Sequence, residues 1–451
     1  MRSALVALCL ANFMAALDLF VVNVALQDIG ADLGGSLTGV SWVLNAYAIV
    51  FGALLIPAGR AADRFGRKRL FLLGAALFTA ASVACALCPS LWTLVAARGL
   101  QAAGAAILVP ASLSLVLTTT APERRASSVR TWAVSSALAG ATGPVAGGLL
   151  TQLDWRWIFL INAPIGIATI VAAARWVPSP PRRPAGRVPD PVEAVLLMGT
   201  AGALSLAVAK ATDWGWTSAE TLSTGLIAVL CGTACVAANR RSAAPVLDRT
   251  LFRSRPFAAA NLSMLLGAAG LAMQLLGLSL FLQRSWQWSP LATGAALAPA
   301  PLATFLAARL AARLAPKVRP AALAAVGFLG IALGQATITA TLAAADGHHF
   351  AYAVLPGWIV SGAGGGLAVP TLTWIAGHGL PPDASAGGSA VLQVARQFGS
   401  AIGTAVLVAT LAAGTGFAAS SWICVAFYVA AAGAVAWAWV SRAPRERARS
   451  R

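Results

Sequence analysis

Charge is scarce in this chain, and acids are the scarcest part of it. Of 451 residues only 10% are Asp, Glu, Lys or Arg, and Asp plus Glu number 14 against 32 Lys plus Arg. A soluble domain carries about a quarter charged residues, so an ordinary water-soluble globule is excluded and the chain reads as an all-α polytopic membrane protein. Histidine is rarer still, and His348, His349 and His378 fall at loops without ligand-like spacing. The six cysteines, Cys9, Cys85, Cys88, Cys231, Cys235 and Cys424, all lie in apolar runs. Small packing residues are the plain reading of them, and a disulfide or a metal site the weaker one. No Ser/His/Asp, metal-ligand or phosphate-loop spacing occurs, and no soluble domain longer than about twenty residues stands between the apolar runs. An enzyme is therefore not indicated, and neither a cofactor nor a metal is expected.

What the chain has in abundance is hydrophobic length. Apolar runs of about 20 residues, enough to cross a bilayer as helix, stand near Ala4–Leu26, Ser41–Ala58, Leu70–Cys88, Leu91–Leu117, Ser128–Leu150 and Ile158–Val177. The first could be mistaken for a signal peptide, but it is long, carries Asp18 and Asn23, and leads into another span, so it reads as an uncleaved helix. The proline-rich Pro178–Pro191 reads as a linker. Val192–Ala209 and Leu222–Ala238 follow, then a basic loop over Asn239–Pro256. The last six runs are Phe257–Gln283, Leu291–Ala312, Ala321–Leu342, Tyr352–Ala376, Ser389–Ala413 and Ser421–Val440. The expected organisation is a six-helix bundle over 1–177, two additional helices with their linkers over 178–256, a second six-helix bundle over 257–440 and a basic tail over 441–451.

The formal charge of +18 would suggest nucleic acid for a soluble protein. Here the cations sit in short loops, so the bilayer is the expected partner and nucleic acid is not. Lys and Arg gather in the segments that share a side with the N-terminus. Only Arg156, Lys210 and Arg284 fall on the other side, and Arg98 and Arg396 lie within spans. That asymmetry places both termini in the cytoplasm.

The densest basic cluster is the stretch from Gly59 to Leu70, between the second and third spans. It reads as a hairpin in which Asp63 is buried among Arg60, Arg64 and Arg67, while Gly59 and Gly66 let helix ends approach closely. Sliding the chain along itself lays Arg60, Arg64 and Lys68 on Arg309, Arg313 and Lys317, with Asp63 on Ala312. This is a faint repeat whose second copy has lost its acid. Within the spans, Asp18, Arg98 and Arg396 would each cost several kcal/mol facing lipid, so each should face a polar cavity or a partner. Asp18 reads either as a proton carrier or as the fixed ion partner of Arg98. Arg98 and Gln101 are one turn apart on one helix face, and Arg98 stays ionised at any useful pH. Gly143, Pro144, Gly147 and Gly148 describe a kinked, closely packed fifth span. Polar and aromatic groups that could face a substrate are Asn23, Trp42, Asn45, Tyr47, Gln101, Gln274, Trp358, Trp374, Gln393, Arg396 and Gln397, although aromatics at such depths more often pack or mark the interface.

The basic hairpin, the Arg98-x-x-Gln101 helix and the Gly143-Pro144-x-x-Gly147-Gly148 helix resemble three signatures of the major facilitator superfamily, the last typical of its antiporters. With fourteen spans, the Leu17–Leu26 stretch, Trp155–Asn162 and Ala395–Gly399, the chain is similar over essentially its whole length to the drug/proton antiporters that act as multidrug and antibiotic-resistance exporters. It departs from them at Phe20 (often Thr), Gln27 (Pro), Ala61 (Leu) and Ala102 (Gly). The resemblance implies the major facilitator fold, with two six-helix bundles and two extra central helices. It also implies export of a small organic molecule in exchange for protons, by alternating access, from a monomer in the bacterial cytoplasmic membrane. Asp18 and Arg98 would then couple protons, and Gly59, Asp63, Arg64, Gly66 and Arg67 would gate. Uptake or uniport of a metabolite is the alternative within transport, and a membrane receptor or enzyme the alternative outside it.

Overall fold

A computed structural model describes residues 2–179, 191–242, 245, 251–315, 317–344, 349–378 and 385–440. Most of the proline-rich linker, much of the basic loop, His348 and the basic tail therefore lie outside the described residues. Among the described residues there is no strand, and fourteen helices are long and apolar enough to cross a membrane. They are α1 (Ser3–Leu33), α2 (Leu37–Phe65), α3 (Arg67–Ala86), α4 (Leu91–Thr119), α5 (Ser127–Leu153), α6 (Trp157–Trp176), α7 (Pro191–Trp214), α8 (Ala219–Arg241), α9 (Arg255–Arg284), α10 (Pro290–Leu314), α11 (Pro320–Leu342), α12 (Phe350–Ala376), α13 (Gly388–Ala412) and α14 (Gly416–Trp437). Lipid forces this outcome, because a helix satisfies every backbone polar group within its own segment.

The helices match the expected spans in number but overrun several of them. α1 continues seven residues past the end of the first apolar run, Leu26, to Leu33, and Lys210, expected in a loop, lies inside α7, where it pairs with Asp213 at 2.7 Å. Hydroxyl caps set several starts: Ser36, Ser90, Ser218 and Ser289 each accept a bond from the backbone N–H three residues on. These relieve the orphan donors at the beginnings of α2, α4, α8 and α10.

The Gly59–Leu70 stretch is not a loop. α2 runs through Arg60 and Asp63 to Phe65, α3 begins at Arg67, and one residue, Gly66, separates them. Gly66 has φ 105° and ψ 121°, with its N–H donating to Ala62 O and its own carbonyl accepting from Leu70 N. Only glycine adopts that conformation without strain. Gly59 is different: it sits within α2, and a methyl placed on it would meet Pro110 Cβ at 3.8 Å, an ordinary contact. The close approach expected at Gly59 is therefore absent.

Two units emerge from the packing: Met1–Val246 with Ser279–Ala298, and Leu247–Leu278 with Pro299–Arg451. In the first, α3 packs on α4, α1 on α5, α2 on α4, and α6 on α1 and α3; α7 and α8 pair with each other, and α7 also lies against α2. In the second, α12 packs on α11 and α10, and α11 also packs on α14. Large apolar side chains such as Leu73, Leu100, Leu226, Leu230, Leu306 and Leu333 point outward, as the lipid-facing surface of a membrane helix does.

The joint at Gly66 generates a paired expectation. Gly66→Ala should lower the melting temperature of the detergent-solubilised protein, with a cost of about 1–2 kcal/mol for a forced left-handed residue. Gly59→Ala should leave it unchanged or raise it slightly, since alanine is the better helix former. Equal melting of the two variants would count against the assigned backbone at Gly66.

Candidate functional site

Five helices of the first unit converge on one carboxylate. α1 contributes Asp18, α4 contributes Arg98 and Gln101, α3 contributes Ser82 and Cys85, α2 contributes Tyr47 and the Val43 carbonyl, and α6 contributes Phe159 and Asn162. Asp18, Arg98, Gln101, Ser82 and Asn162 are all fully shielded from solvent. Arg98 Nη1 stands 2.5 Å from Asp18 Oδ2 and also donates to Gln101 Oε1, while Arg98 Nε donates to Val43 O at 3.1 Å. The second carboxylate oxygen, Oδ1, accepts from Gln101 Nε2 at 2.8 Å and from Asn162 Nδ2 at 3.1 Å. Ser82 Oγ accepts from both amides, at 2.6 and 3.3 Å, and Cys85 Sγ reaches Gln101 Oε1 at 3.7 Å. The guanidinium carbon lies 4.3 Å from the ring centre of Tyr47 and 5.6 Å from that of Phe159. The cation thus has two aromatic rings close by, which favours a charge held away from water.

The result is a neutral pair in which each charge answers the other. An isolated charge at this depth would be far too costly, whereas a paired and hydrogen-bonded one is tolerated. Several polar atoms of the cluster remain without a hydrogen bond: Arg98 Nη2, Asn162 Oδ1 and the Tyr47 hydroxyl. The site therefore holds more hydrogen-bonding capacity than its present geometry uses.

The glycines of α5 seat the Asp18 helix. A methyl on Gly143 would fall 2.6 Å from Phe20 Cβ, and one on Gly147 would fall 2.8 Å from Val21 O. Gly148 and Gly294 make equally close approaches where α5 meets the start of α10, against Leu291 and Pro144. Phe20 lies across Gly140 and Gly143. Two side chains from the end of α9 also fasten α1, with Ser279 donating to Asn23 O at 3.2 Å and Gln283 to Val24 O at 2.9 Å. At the far end of α1, Asp32 pairs with Arg156 at 2.9 Å and accepts from the Trp155 indole at 3.0 Å.

Other expected site residues stand apart from this cluster. Asn23 turns its amide back to Leu19 O at 2.8 Å, so it serves its own helix. Asn45 is buried with neither amide atom hydrogen-bonded, and Trp42 is half-buried. Tyr47 is packed on Arg98 rather than turned to open space. Asp63 is not buried as expected: its side chain is 49% exposed and pairs with Arg67 at 2.7 Å, one turn on. Arg64 lies over Phe65 at 5.5 Å. The basic stretch gains a further tie from Lys68, whose Nζ donates to Ala174 O at the end of α6.

In the second unit Gln274 belongs to a neutral network: its amide nitrogen donates to Ser361 Oγ at 2.9 Å, and its oxygen accepts from Tyr428 at 2.8 Å. Trp358 is buried, Gln397 is buried with Nε2 unbonded, Arg396 is half-buried, and Gln393 and Trp374 are exposed. Sequence reasoning missed Ser82, Cys85, Phe159 and Asn162. Only Asn162 carried a signal, as an amide close inside an apolar run. Among the described residues no group of three or more His, Cys, Asp or Glu side chains could hold a metal ion.

The sequence model of the Major Facilitator Superfamily matches residues 8–404. The chain is 34% identical to the cephamycin export protein CmcT of Amycolatopsis lactamdurans over 92% of its length and 85% of that protein. It is also 34% identical to a methylenomycin A resistance protein of Bacillus subtilis (92% and 90% covered), and 32% identical to the multidrug resistance protein Stp of Mycobacterium tuberculosis (91% and 75%). Among solved structures, a POT family transporter crystallised with a thioalcohol-conjugated peptide superposes with TM-score 0.71 at 17% identity, covering 98% of this chain and 96% of that one. A bacterial homologue of the lysosomal transporter Spinster gives 0.65 at 19% identity, with 96% of each covered. These structures share the fold.

The ion pair can be tested by a double-mutant cycle in detergent unfolding. Arg98→Leu alone should cost about 3–5 kcal/mol, because it strands a buried carboxylate, whereas Asp18→Leu with Arg98→Leu should recover most of that loss. Additive costs would show that the two charges do not depend on each other.

Proposed function

The chain belongs to the major facilitator superfamily, and from that premise we propose that it is a proton-coupled exporter of small organic compounds, of the kind that carries antibiotics or other drugs out of a bacterial cell. The observation that carries the reading is the buried Asp18–Arg98 pair. Exchange against protons needs a group that loads and releases a proton, and Arg98 and Arg396 stay ionised throughout. Asp18 is fully shielded from solvent, with Arg98 on one oxygen and Gln101 and Asn162 on the other. Protonation of Asp18 removes one half of a neutral pair and leaves Arg98 without its counter-charge. Every arrangement of α1 and α4 that offers Arg98 another acceptor then becomes more favourable. Departure of the proton restores the pair. This gives the two-state element that alternating access requires.

Export rather than uptake is supported by the names of the relatives at 32–34% identity, which are export and resistance proteins, and by the glycine-packed α5. The clustering of Lys and Arg supports placing the Gly66 end of the first unit, with both termini, in the cytoplasm. The protein is read as a monomeric transporter in the cytoplasmic membrane, without catalytic chemistry. Its gate is assigned to the Gly66 joint with Asp63, Arg64 and Arg67, and its substrate-facing groups are sought among Trp42, Asn45, Gln393, Arg396 and Gln397.

Inverted vesicles carrying the full-length protein test the coupling. A pH gradient should drive accumulation of a fluorescent cationic dye, and an uncoupler should abolish it. Asp18→Asn should keep dye binding but lose at least about tenfold in gradient-driven rate, the loss that corresponds to roughly 1.4 kcal/mol in a rate-limiting step. Asp18→Glu should retain part of the rate. Full coupling in the Asn variant would falsify the assignment of Asp18.

Asp63→Asn tests the gate in the same vesicles. It removes an exposed ion pair worth no more than about 1 kcal/mol, so the fold should be kept while export slows. Export at the wild-type rate would leave the joint a topological anchor.

A further inference from the structure

A concavity lies wholly inside the first unit, at the Gly66 end of its helices. Its volume is about 430 Å³, and its walls come from the start of α1, the end of α4, the start of α5 and the end of α6. That volume is in the range of small-ligand sites. The end of α6 is held there by Lys68, which donates to Ala174 O two residues before Trp176. The cavity has two kinds of wall. Leu5, Leu8 and Val116 form an apolar side, while Thr119, Thr120, Arg124, Ser127 and Ser128 form a polar one, and the exposed Trp176 also lines the cavity.

The polar wall is short of acceptors. The helix containing the α5 span extends back from Ser127 to Arg125, directly after a 3-10 turn over Pro122–Arg124, and Arg124 at its N-cap position makes no side-chain capping bond. The N-cap residue therefore adds no side-chain acceptor at the positive end of a long helix dipole. Ser128 is 93% buried, lines the cavity and makes no side-chain hydrogen bond among the described residues. The Thr120 hydroxyl is likewise unbonded, while Ser127 donates to Arg124 O at 2.8 Å and Thr119 to Leu115 O at 2.7 Å. Arg124 is exposed and forms no ion pair with any described acid. A guanidinium, a helix N-terminus and unspent hydroxyls facing one space select an anion with several acceptor oxygens.

We propose that this cavity binds the phosphate of an anionic phospholipid through Arg124, Ser128 and the start of α5, with the lipid's first acyl carbons against Leu5, Leu8 and Val116. The apolar wall and the Trp176 indole distinguish this occupant from a free phosphate, which would leave half of the site unused. The position agrees, because the cavity lies at the ends of membrane-crossing helices, where headgroups and tryptophan belts sit. The site is separate from the Asp18 cluster and independent of the transport reading.

Native mass spectrometry of the purified full-length protein, released from micelles containing equal phosphatidylglycerol and phosphatidylcholine, tests it. Phosphatidylglycerol should be retained in preference. Arg124→Gln should cut that retention about fivefold, the factor matching roughly 1 kcal/mol for one cation at a membrane surface. Ser128→Val should abolish the preference by replacing the buried hydroxyl with an apolar group, and Arg319→Gln, on an exposed cation of the second unit, should leave it intact. Size-exclusion profiles and dye transport confirm folding of each variant. The proposal is overturned if both Arg124→Gln and Ser128→Val keep the wild-type preference. It is equally overturned if phosphatidylcholine is retained as well as phosphatidylglycerol, or if inorganic phosphate displaces the lipid, since the site would then serve any lipid or a soluble anion.

Discussion

Two opposite charges, placed where neither could stand alone, fix the interior of the first unit. Asp18 and Arg98 meet at 2.5 Å with no exposure to solvent, and the cost of burying them is offset only because every partner is in place at once. Arg98 draws in the Val43 carbonyl and Gln101, Asp18 draws in Gln101 and Asn162, and Ser82 receives both amides. One ion pair therefore prescribes the approach of five helices. The glycines of α5 carry the same requirement outward, because α1 can hold Asp18 at that depth only if its neighbour presents almost no side-chain bulk at Phe20 and Val21.

In the second unit the buried polar cluster around Gln274 is neutral. Gln274, Ser361 and Tyr428 close a neutral network, and Cys424 donates to Gly270 O within the same helices. That network joins its helices through hydrogen bonds between neutral groups, whereas the first unit joins its own around an ion pair. The faint sequence repeat carries the same division, with Asp63 matched by Ala312.

Much of this was legible in the sequence because membrane burial writes itself as apolar length. The fourteen spans followed from run lengths, and the pairing of Arg98 with Gln101 followed from a separation of one helical turn. Helix ends were less legible: polar residues such as Asp28, Asp32 and Lys210 continue helices that hydropathy alone would stop. The Gly59–Leu70 stretch misled because a run of charges looks like a loop, although one glycine at positive φ suffices to turn the chain. Asp63 looked buried among cations, yet its nearest cation lies one turn along on the exposed side of the joint. Tyr47 looked like a cavity aromatic, and its ring instead covers Arg98. Ser82, Cys85, Phe159 and Asn162 could not be assigned, since small or apolar residues in a span look alike until distant segments meet.

The joint at Gly66 also fixes an angular phase. With a single residue shared as the end of α2 and the beginning of α3, no slack exists to absorb an insertion. One added residue would rotate all of α3 by about 100°, carrying Ser82 and Cys85 from the face that meets Gln101 to a neighbouring face. Length variation that the polar segments elsewhere in the chain could absorb is closed to this junction, so its spacing is as much a part of the buried site as the residues that touch Asp18.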